Sequence, residues 1–235
     1  MHLDHHPSRR LKVRPLARRL AWACGLVCGA GLNAWAFPSA GQWSYKVSGQ
    51  TRGIPYTAQA QLEWQPQGTR YTARMEVKAL LVGSRRQTSE GLLGAQDLQP
   101  QLFIDQRKHP KKVVLDTAQQ SVRFEENGQT TPMPTGTQDR LSLFFHLGHR
   151  YQQPGPSAVG QRWTVPVVGT TGLEQWTFVV HSGEVAGQVR FSRLPRHAGD
   201  QTLDIWYAKE TAAVPTRIRL TSSDGDHADQ VLVKP

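Results

Sequence analysis

The sequence predicts an all-β protein, a curved antiparallel sheet or open β-barrel of about 12 strands with one short helix packed on it. Apolar and polar residues alternate with a period of two along most of the chain, which indicates strands with one buried face. Turn-forming pairs such as Asn127-Gly128 separate these stretches, as they do in antiparallel hairpins. Residues 136–150 break the alternation and concentrate large apolar side chains at helical spacing.

The first three strands are the most regular part of this pattern. Residues 43–47, 54–64 and 71–77 each carry apolar side chains at every second position. Alternation of this length is typical of a strand that lies on a core with one face and meets water with the other. Further strands are expected near residues 85–93, 101–106, 111–116, 121–127, 162–168, 173–182, 185–194, 201–208, 215–222 and 228–233.

One helix is expected over residues 138–148, because large apolar residues recur there near the spacing of one helix face. Its ends carry a capping residue, a first-turn acid, a terminal glycine and a terminal cation, which are Thr137, Asp139, Gly148 and Arg150. A lone helix in a chain of strands must bury its apolar face against the sheet. We therefore expect it in the mouth or along the open side of the curved sheet. For Asp139 the alternative is an inward-facing carboxylate paired with Arg140 or with a strand arginine.

The first 36 residues have the features of a secretory signal peptide. A basic head precedes the uncharged segment 21–36, which ends in the small-x-small pattern Ala34-Trp35-Ala36. The alternative, a membrane anchor, needs about 20 apolar residues, and this segment is shorter. We therefore expect cleavage after Ala36, a periplasmic location, no membrane-spanning segment after cleavage, and one β-barrel-like domain over residues 37–235.

Removing this leader changes what the composition implies. Both cysteines, Cys24 and Cys28, lie in the leader, so disulfides and thiolate chemistry are excluded from the expected mature chain. The whole chain has a net charge of +10, but without the six basic residues and one acidic residue of the leader the remainder is 22 Lys and Arg against 17 Asp and Glu, a net +5. Export also separates the protein from nucleic acid. A mildly positive surface facing anionic headgroups is the better interpretation.

Three sequence blocks resemble a known family. The stretches QTSEGLLGAQDLQPQLF, GTQDRLSLFFHL and DIWYAKETAAVPTRIRL are similar to blocks of the exported bacterial proteins that share domain of unknown function 3108. The resemblance implies an exported, β-rich, open-barrel-like domain with some likeness to periplasmic lipoprotein carriers, and it implies no reaction and no catalytic residues. The matching positions are Ser89, Gly91, Leu98, Pro100, Phe103, Gln138, Asp139, Leu141, Ser142, Leu143, Ile205, Trp206, Pro215, Arg217 and Ile218.

The favoured functional hypothesis is a non-catalytic protein that binds an amphipathic or lipid-like ligand of the cell envelope. A curved sheet with an apolar inner face and a helical lid offers a pocket for an acyl chain. Basic residues at a hairpin tip would meet lipid headgroups, each worth about 1 kcal/mol. The expected ligand-binding residues are Leu141, Phe144, Phe145, Trp176 and Trp206, and the expected headgroup contacts are Arg107, Lys108, Lys111 and Lys112.

Two other functions remain open at this point. One is a glycan- or peptidoglycan-binding module that uses exposed tryptophans as stacking platforms. The other is a hydrolase or metal site around His146 and His149, whose i, i+3 spacing on a helix can bring two imidazoles to one ion. The opposing interpretation places both histidines on the wet side of the helix end, and zinc would need a third ligand that the sequence does not reveal. We expect no cofactor and no metal.

Overall fold

In a computed structural model, the described residues are 1–2, 37–79, 83–94, 97–152, 155–211 and 213–233. Apart from residues 1 and 2, the predicted signal peptide and its cleavage position at Ala36 lie outside them. The fold described below belongs to the compact unit Trp35–Pro235. It is mostly β, with one short helix and a large curved open sheet that does not close into a barrel, which confirms the predicted fold class.

Fifteen strands of the described residues form one sheet. Thirteen of them correspond to predicted strands, and the two that were not predicted, β8 and β9, have three residues and two residues. Such short strands show no readable alternation. The strands are β1 (Gly41–Thr51), β2 (Ile54–Gln67), β3 (Arg70–Ala79), β4 (Gly83–Leu93), β5 (Leu98–Gln106), β6 (Pro110–Asp116), β7 (Ser121–Phe124), β8 (Thr130–Pro132), β9 (Gln138–Asp139), β10 (Arg162–Val168), β11 (Leu173–Ser182), β12 (Gln188–Arg193), β13 (Thr202–Ala208), β14 (Arg217–Thr221) and β15 (His227–Leu232).

Two meanders meet in the middle of this sheet. In the first meander, β1 to β8 follow one another to one edge, and in the second, β15 to β10 follow one another towards the other edge. The meanders join where β1 pairs with β15 in antiparallel register. At the far edge β9 adds a short parallel pairing to β10. The first and last strands therefore lie side by side at the centre of the sheet.

The two edges of the sheet, β8 and β9, are consecutive in the sequence. Only residues 133–137 connect them. A connection of this length spans roughly 20 Å when fully extended. The sheet must therefore curve until its edges come close, although no backbone ladder joins them.

The core lies on the inner, concave face of the sheet. Alternation along each strand directs one set of side chains to this face. Trp64, Phe103, Phe178 and Phe191 are almost fully buried there in one cluster that also contains the helix residues. The outer faces carry ion pairs such as Arg74 with Glu63. The inner face is thus the apolar surface that the helix covers.

The helix, α1, spans Ser142–Gln152 and starts and ends four residues later than the prediction of 138–148. Residues 138–139 pair with β10 as a strand instead, because Asp139 accepts the backbone N–H groups of Leu141 and Ser142 and so caps the turn that leads into α1. The expected cap, Thr137, donates its hydroxyl to the Pro134 carbonyl. The expected last residue, Gly148, lies inside the helix. Two 3-10 helices follow, at Gly155–Ala158 and Lys209–Thr211.

Candidate functional site

Helix α1 fills the space above the inner face. Its large apolar side chains and the adjacent Leu141 are buried, and the most exposed of them, Phe144, is only 9 % exposed. The phenol of Tyr207 on β13 donates a hydrogen bond of 2.7 Å to the Phe144 carbonyl oxygen. The helix therefore acts at least as a plug. The buried apolar residues are Leu141, Leu143, Phe144, Phe145, Leu147 and Tyr151.

An aromatic stack holds the middle of the helix on the first meander. The ring centroids of Phe145 and Trp64 are 4.3 Å apart, and those of Trp64 and Tyr71 are 5.0 Å apart. Pairs at such distances contribute about 0.5–1.5 kcal/mol beyond the area they bury. The helix is thus fixed to β2 and β3 by aromatic packing and to β13 by the Tyr207 hydrogen bond.

Gly148 allows the closest approach between the helix and the second meander. A β-carbon added at this residue would lie 2.5 Å from the carbonyl oxygen of Ala213 and 2.7 Å from its Cα atom. Both are backbone atoms, which cannot rotate away as a side chain can. Gly148 therefore serves the packing of the helix against Ala213 and does not end the helix. The helix ends at Gln152, two residues before Pro154 in the sequence.

A buried polar group, which we call the latch, connects the β9 edge of the sheet to β4 and β5 and consists of Ser89, Gln138 and Asp139. The Ser89 hydroxyl on β4 donates to Oδ2 of Asp139 on β9 at 2.5 Å. Nε2 of Gln138 donates to the Leu98 carbonyl on β5 at 2.8 Å. All three latch residues are fully buried. Side chains therefore join β9 to the first meander, with whose strands it shares no backbone pairing among the described residues.

The carboxylate of Asp139 is the centre of this group. Its Oδ1 accepts the N–H groups of Leu141 and Ser142, both at 2.8 Å, and the Ser142 hydroxyl accepts the N–H of Asp139 at 2.9 Å. Burial raises the pKa of Asp139 to about 6, although the donors from Ser89, Ser142 and Leu141 oppose this rise. Asp139 does face inward, as the alternative interpretation held, but among the described residues its partners are hydroxyl and backbone groups and not an arginine.

The two helix histidines are buried, so the expectation that they face water is wrong. His146 and His149 are 5 % and 1 % exposed, because the helix continues past Gly148 and keeps this turn inside the fold. Nδ1 of His146 contacts the Asp97 carboxylate, and the ring of His149 stacks on Phe37 at 4.1 Å. Among the described residues, no group of three or more His, Cys, Asp or Glu side chains could hold a metal ion.

His149 makes the stability of the fold depend on pH. Burial lowers the pKa of its imidazole, and within the described residues neither ring nitrogen has a hydrogen-bond partner. The folded state therefore resists protonation, so its free energy of unfolding should fall as the pH drops below about 6.5, the ordinary pKa of histidine. We expect His149→Phe, which keeps an aromatic ring on Phe37, to lose less stability than the wild type between pH 8 and pH 5.5. Urea denaturation at both pH values measures this, and equal losses in the two proteins would contradict it.

The five residues expected to line the ligand site do not share one location. Leu141, Phe144 and Phe145 lie with Trp176 in the core cluster of the inner face. Trp206 lies on the opposite face of β13, since its neighbours Leu203, Ile205 and Tyr207 belong to the core cluster. The guanidinium carbons of Arg217 and Arg190 lie 4.7 and 6.0 Å from its ring centroid, and its Nε1 donates to Glu184. Arginine side chains, and not the helix, cover Trp206.

The basic cluster lies at the hairpin tip between β5 and β6. Arg107, Lys108 and Lys112 are exposed, and Lys111 forms an ion pair of 2.7 Å with Glu126 in the connection between β7 and β8. The four cations are thus placed where they can meet an anionic surface. Contact with headgroups stays a prediction.

Sequence reasoning from the residues missed Ser89 as the partner of Asp139 and Gln138 as the donor to the Leu98 carbonyl. Nothing in the alternation marks Ser89, a small polar residue on a strand. The available signal was the family resemblance, whose matching positions include Ser89, Gln138, Asp139 and Ser142, the residues of the latch and of the helix cap. These positions therefore coincide with the contacts that join the meanders.

Comparison with known proteins assigns the chain to a family. Residues 44–233 match the family model described as protein of unknown function (DUF3108). No curated protein matches the chain. The matched range contains the latch, the helix and all but the first three residues of the sheet. The chain therefore belongs to the DUF3108 family, as the resemblance implied.

Proposed function

We propose that this protein is exported to the periplasm and, without catalysing a reaction, binds an amphipathic or lipid-like envelope ligand on the inner face that α1 covers. The observation that carries the proposal is that one 11-residue helix covers the apolar inner face of an open sheet. The helix is attached to the ladder through β9, which has two residues. It could leave the inner face while the pairings of the other strands stay intact.

The free energy lost when the helix leaves the inner face is comparable to the free energy gained when an acyl chain takes its place. Removing about five large apolar side chains from the inner face costs roughly 8–15 kcal/mol, at about 1.5–3 kcal/mol each. An acyl chain of about 14 methylene groups recovers roughly 11 kcal/mol at about 0.8 kcal/mol per group. A ligand with one long chain could therefore replace the helix, whereas a small polar molecule could not.

Two surface depressions in the described part of the chain lie away from the covered face. They have volumes of about 360 and 390 Å³ and are lined by residues of β1 to β4 and by Val233. Neither reaches the helix. Within the described ranges, no helix has the length and hydropathy that crossing a bilayer requires. Space for an acyl chain would come from movement of α1.

The apparent signal sequence supports the envelope location. Its basic head, uncharged segment and Ala34-Trp35-Ala36 ending are those of a cleaved export signal. Intact-mass measurement of protein from a periplasmic extract should give a chain that begins at Phe37. A chain retained in the cytoplasm with its leader would contradict the location.

Gly148→Ala tests whether the helix is a movable cover. Alanine is the better helix former, by about 1 kcal/mol, but its β-carbon would meet the Ala213 backbone, and overpacking of this kind costs about 1–3 kcal/mol. Because the propensity gain offsets part of the clash, we expect the free energy of unfolding to fall by up to about 2 kcal/mol. Gly172→Ala is the matched control, because a β-carbon there meets no atom within 4 Å.

The same pair of variants tests binding. If ligand binds only when α1 is displaced, a docking defect of about 1.4 kcal/mol raises the apparent affinity about tenfold. We therefore expect Gly148→Ala to bind a fluorescent fatty acid more tightly than the wild type, with Gly172→Ala unchanged. Absence of saturable binding by the wild type and by Gly148→Ala would overturn the proposal and leave α1 as a structural plug.

The geometry does not favour a glycan module built on tryptophan platforms. Such a platform needs an exposed ring face, and the described tryptophans are buried or half-buried. They are Trp43, Trp64, Trp163, Trp176 and Trp206.

A further inference from the structure

Arginine side chains gather where β9 leads into the helix. Arg85 on β4 has the strand parity of the buried Ser89 and so faces the inner side, and Arg193 on β12 is buried on that side of the second meander. Arg140 lies in the turn between β9 and α1, near enough to both for their charges to act on it. These arginines form a cationic rim at one end of the inner face, and Trp176 lies among them.

Two of the three rim arginines are neutralised by carboxylates. Arg85 forms an ion pair with Asp105. Arg193 forms an ion pair of 2.9 Å with Asp200. These two cations are held in place and add little net charge to the rim.

Arg140 has no such partner. No carboxylate oxygen of the described residues lies within 4 Å of its guanidinium nitrogens, and its Nε is buried without a hydrogen bond. Burial lowers the pKa of Arg140, and the nearby Arg85 and Arg193 lower it further, against Glu174 and Asp105. An arginine stays charged in proteins even so. The rim therefore has a partly buried positive charge that is not paired.

The position of this guanidinium is fixed by packing. Its carbon lies 5.8 Å from the ring centroid of Trp176, and that of Arg193 lies 4.5 Å from the same ring. A β-carbon added at Gly169 would lie 2.7 Å from Nε of Arg140, so the guanidinium rests against the backbone of the 169–172 turn. A side chain held in this way loses little freedom when it binds an anion, which favours affinity.

We propose that Arg140, beside Gly169 and Trp176, binds a phosphate-type oxyanion. A guanidinium offers a planar fork of donors that matches two oxygens of such a group. The anion would neutralise the unpaired charge, and its source is either a free phosphate or the phosphate of a lipid headgroup. The site does not rest on acyl-chain binding, because inorganic phosphate has no apolar part. Phosphate binding therefore tests this site, and fatty-acid binding tests the proposed function, so one can fail without the other.

Calorimetric titration with inorganic phosphate at constant ionic strength tests the site. We expect Arg140→Gln to weaken binding at least about tenfold, the effect of losing a charge-assisted hydrogen-bond pair. Arg140→Lys keeps the charge but loses the fork, so it should bind with intermediate affinity. Arg162→Gln is the control, since Arg162 is exposed on β10 and takes no part in the rim.

A second pair of variants keeps Arg140 and changes only its position. Gly169→Ala should push the guanidinium out of its packed position, since the atoms that the new β-carbon meets belong to the Arg140 side chain and not to the backbone, and so should weaken phosphate binding. Gly172→Ala, in the same turn, has open space around the new β-carbon and should bind as the wild type does. Unchanged unfolding curves for all the variants would show that the loss is local.

Sedimentation with phosphatidylglycerol vesicles distinguishes the two sources of the anion. Loss of both phosphate and vesicle binding in Arg140→Gln would identify a site that also accepts headgroups. Loss of phosphate binding alone would identify a site for the free ion. Equal affinity of the wild type and Arg140→Gln for both probes, or no binding of either probe by the wild type, would overturn the proposal.

Discussion

Replacing Phe145 with alanine should lower the free energy of unfolding by about 3–5 kcal/mol, the range for removing a large aromatic side chain from a packed core. The side chain is fully buried, and its ring packs at a tilt against Trp64, which in turn stacks on Tyr71. Truncation removes the contact between the helix and the first meander and leaves a cavity between α1 and β2. Urea denaturation, monitored by circular dichroism, measures the change in the free energy of unfolding.

Ile54→Ala is the control for this substitution. Ile54 is also a large apolar residue of the sheet, but its side chain is 63 % exposed, so truncation should change stability by less than about 0.5 kcal/mol. A similar small effect at Phe145 would mean that the helix is not docked on the inner face. In that case the proposed covered site would also be wrong.

The second large effect is expected at Asp139. Alanine at this position would leave the N–H groups of Leu141 and Ser142 without their acceptor, while the Ser89 hydroxyl would keep Tyr71 as a hydrogen-bond partner. Each buried donor left unsatisfied costs about 1–3 kcal/mol, so for these two donors we expect a loss of about 2–6 kcal/mol in the free energy of unfolding. Asparagine keeps one carbonyl oxygen for the two N–H groups and should cost less than about 1 kcal/mol near pH 5. Chemical denaturation of the two variants measures the difference.

The pH dependence of the same pair separates charge from hydrogen bonding. The pKa of Asp139 is raised by burial to about 6, above the ordinary aspartate value of about 3.9. Its contribution to stability is therefore fully present below about pH 4 and is lost as the pH rises through about 6. By linkage this loss is about 3 kcal/mol, relative to Asp139→Asn, which does not titrate. A wild type that gains stability relative to Asp139→Asn over this range would show that the N–H donors outweigh burial.

Local sequence patterns predicted most of the sheet because they report the side of a strand on which each residue lies. The six alternating positions between Ile54 and Trp64 identify β2 whatever its neighbours are. Local signals were weaker where a tertiary contact competes with them. Gly148 is a residue type typical of helix ends, yet it lies inside α1. A glycine is required there because the Ala213 backbone leaves no space for a β-carbon. His146 and His149 are polar residues of the kind expected at a solvent-exposed helix end, yet they are buried.

The sequence by itself determined the all-β class, the presence of one apolar helix and the need to bury that helix. Each depends on the spacing of residues that are close in the chain. Only the tertiary structure decided which groups meet where the sheet stays open. Asp139 bonds to Ser89 across 50 residues and Gln138 bonds to Leu98 across 40, while Trp206 is covered by arginines from the two strands beside it. The physical reason is that a hydrogen bond or a stacked ring needs a specific partner at about 3–5 Å, and the curvature of the whole sheet supplies that partner.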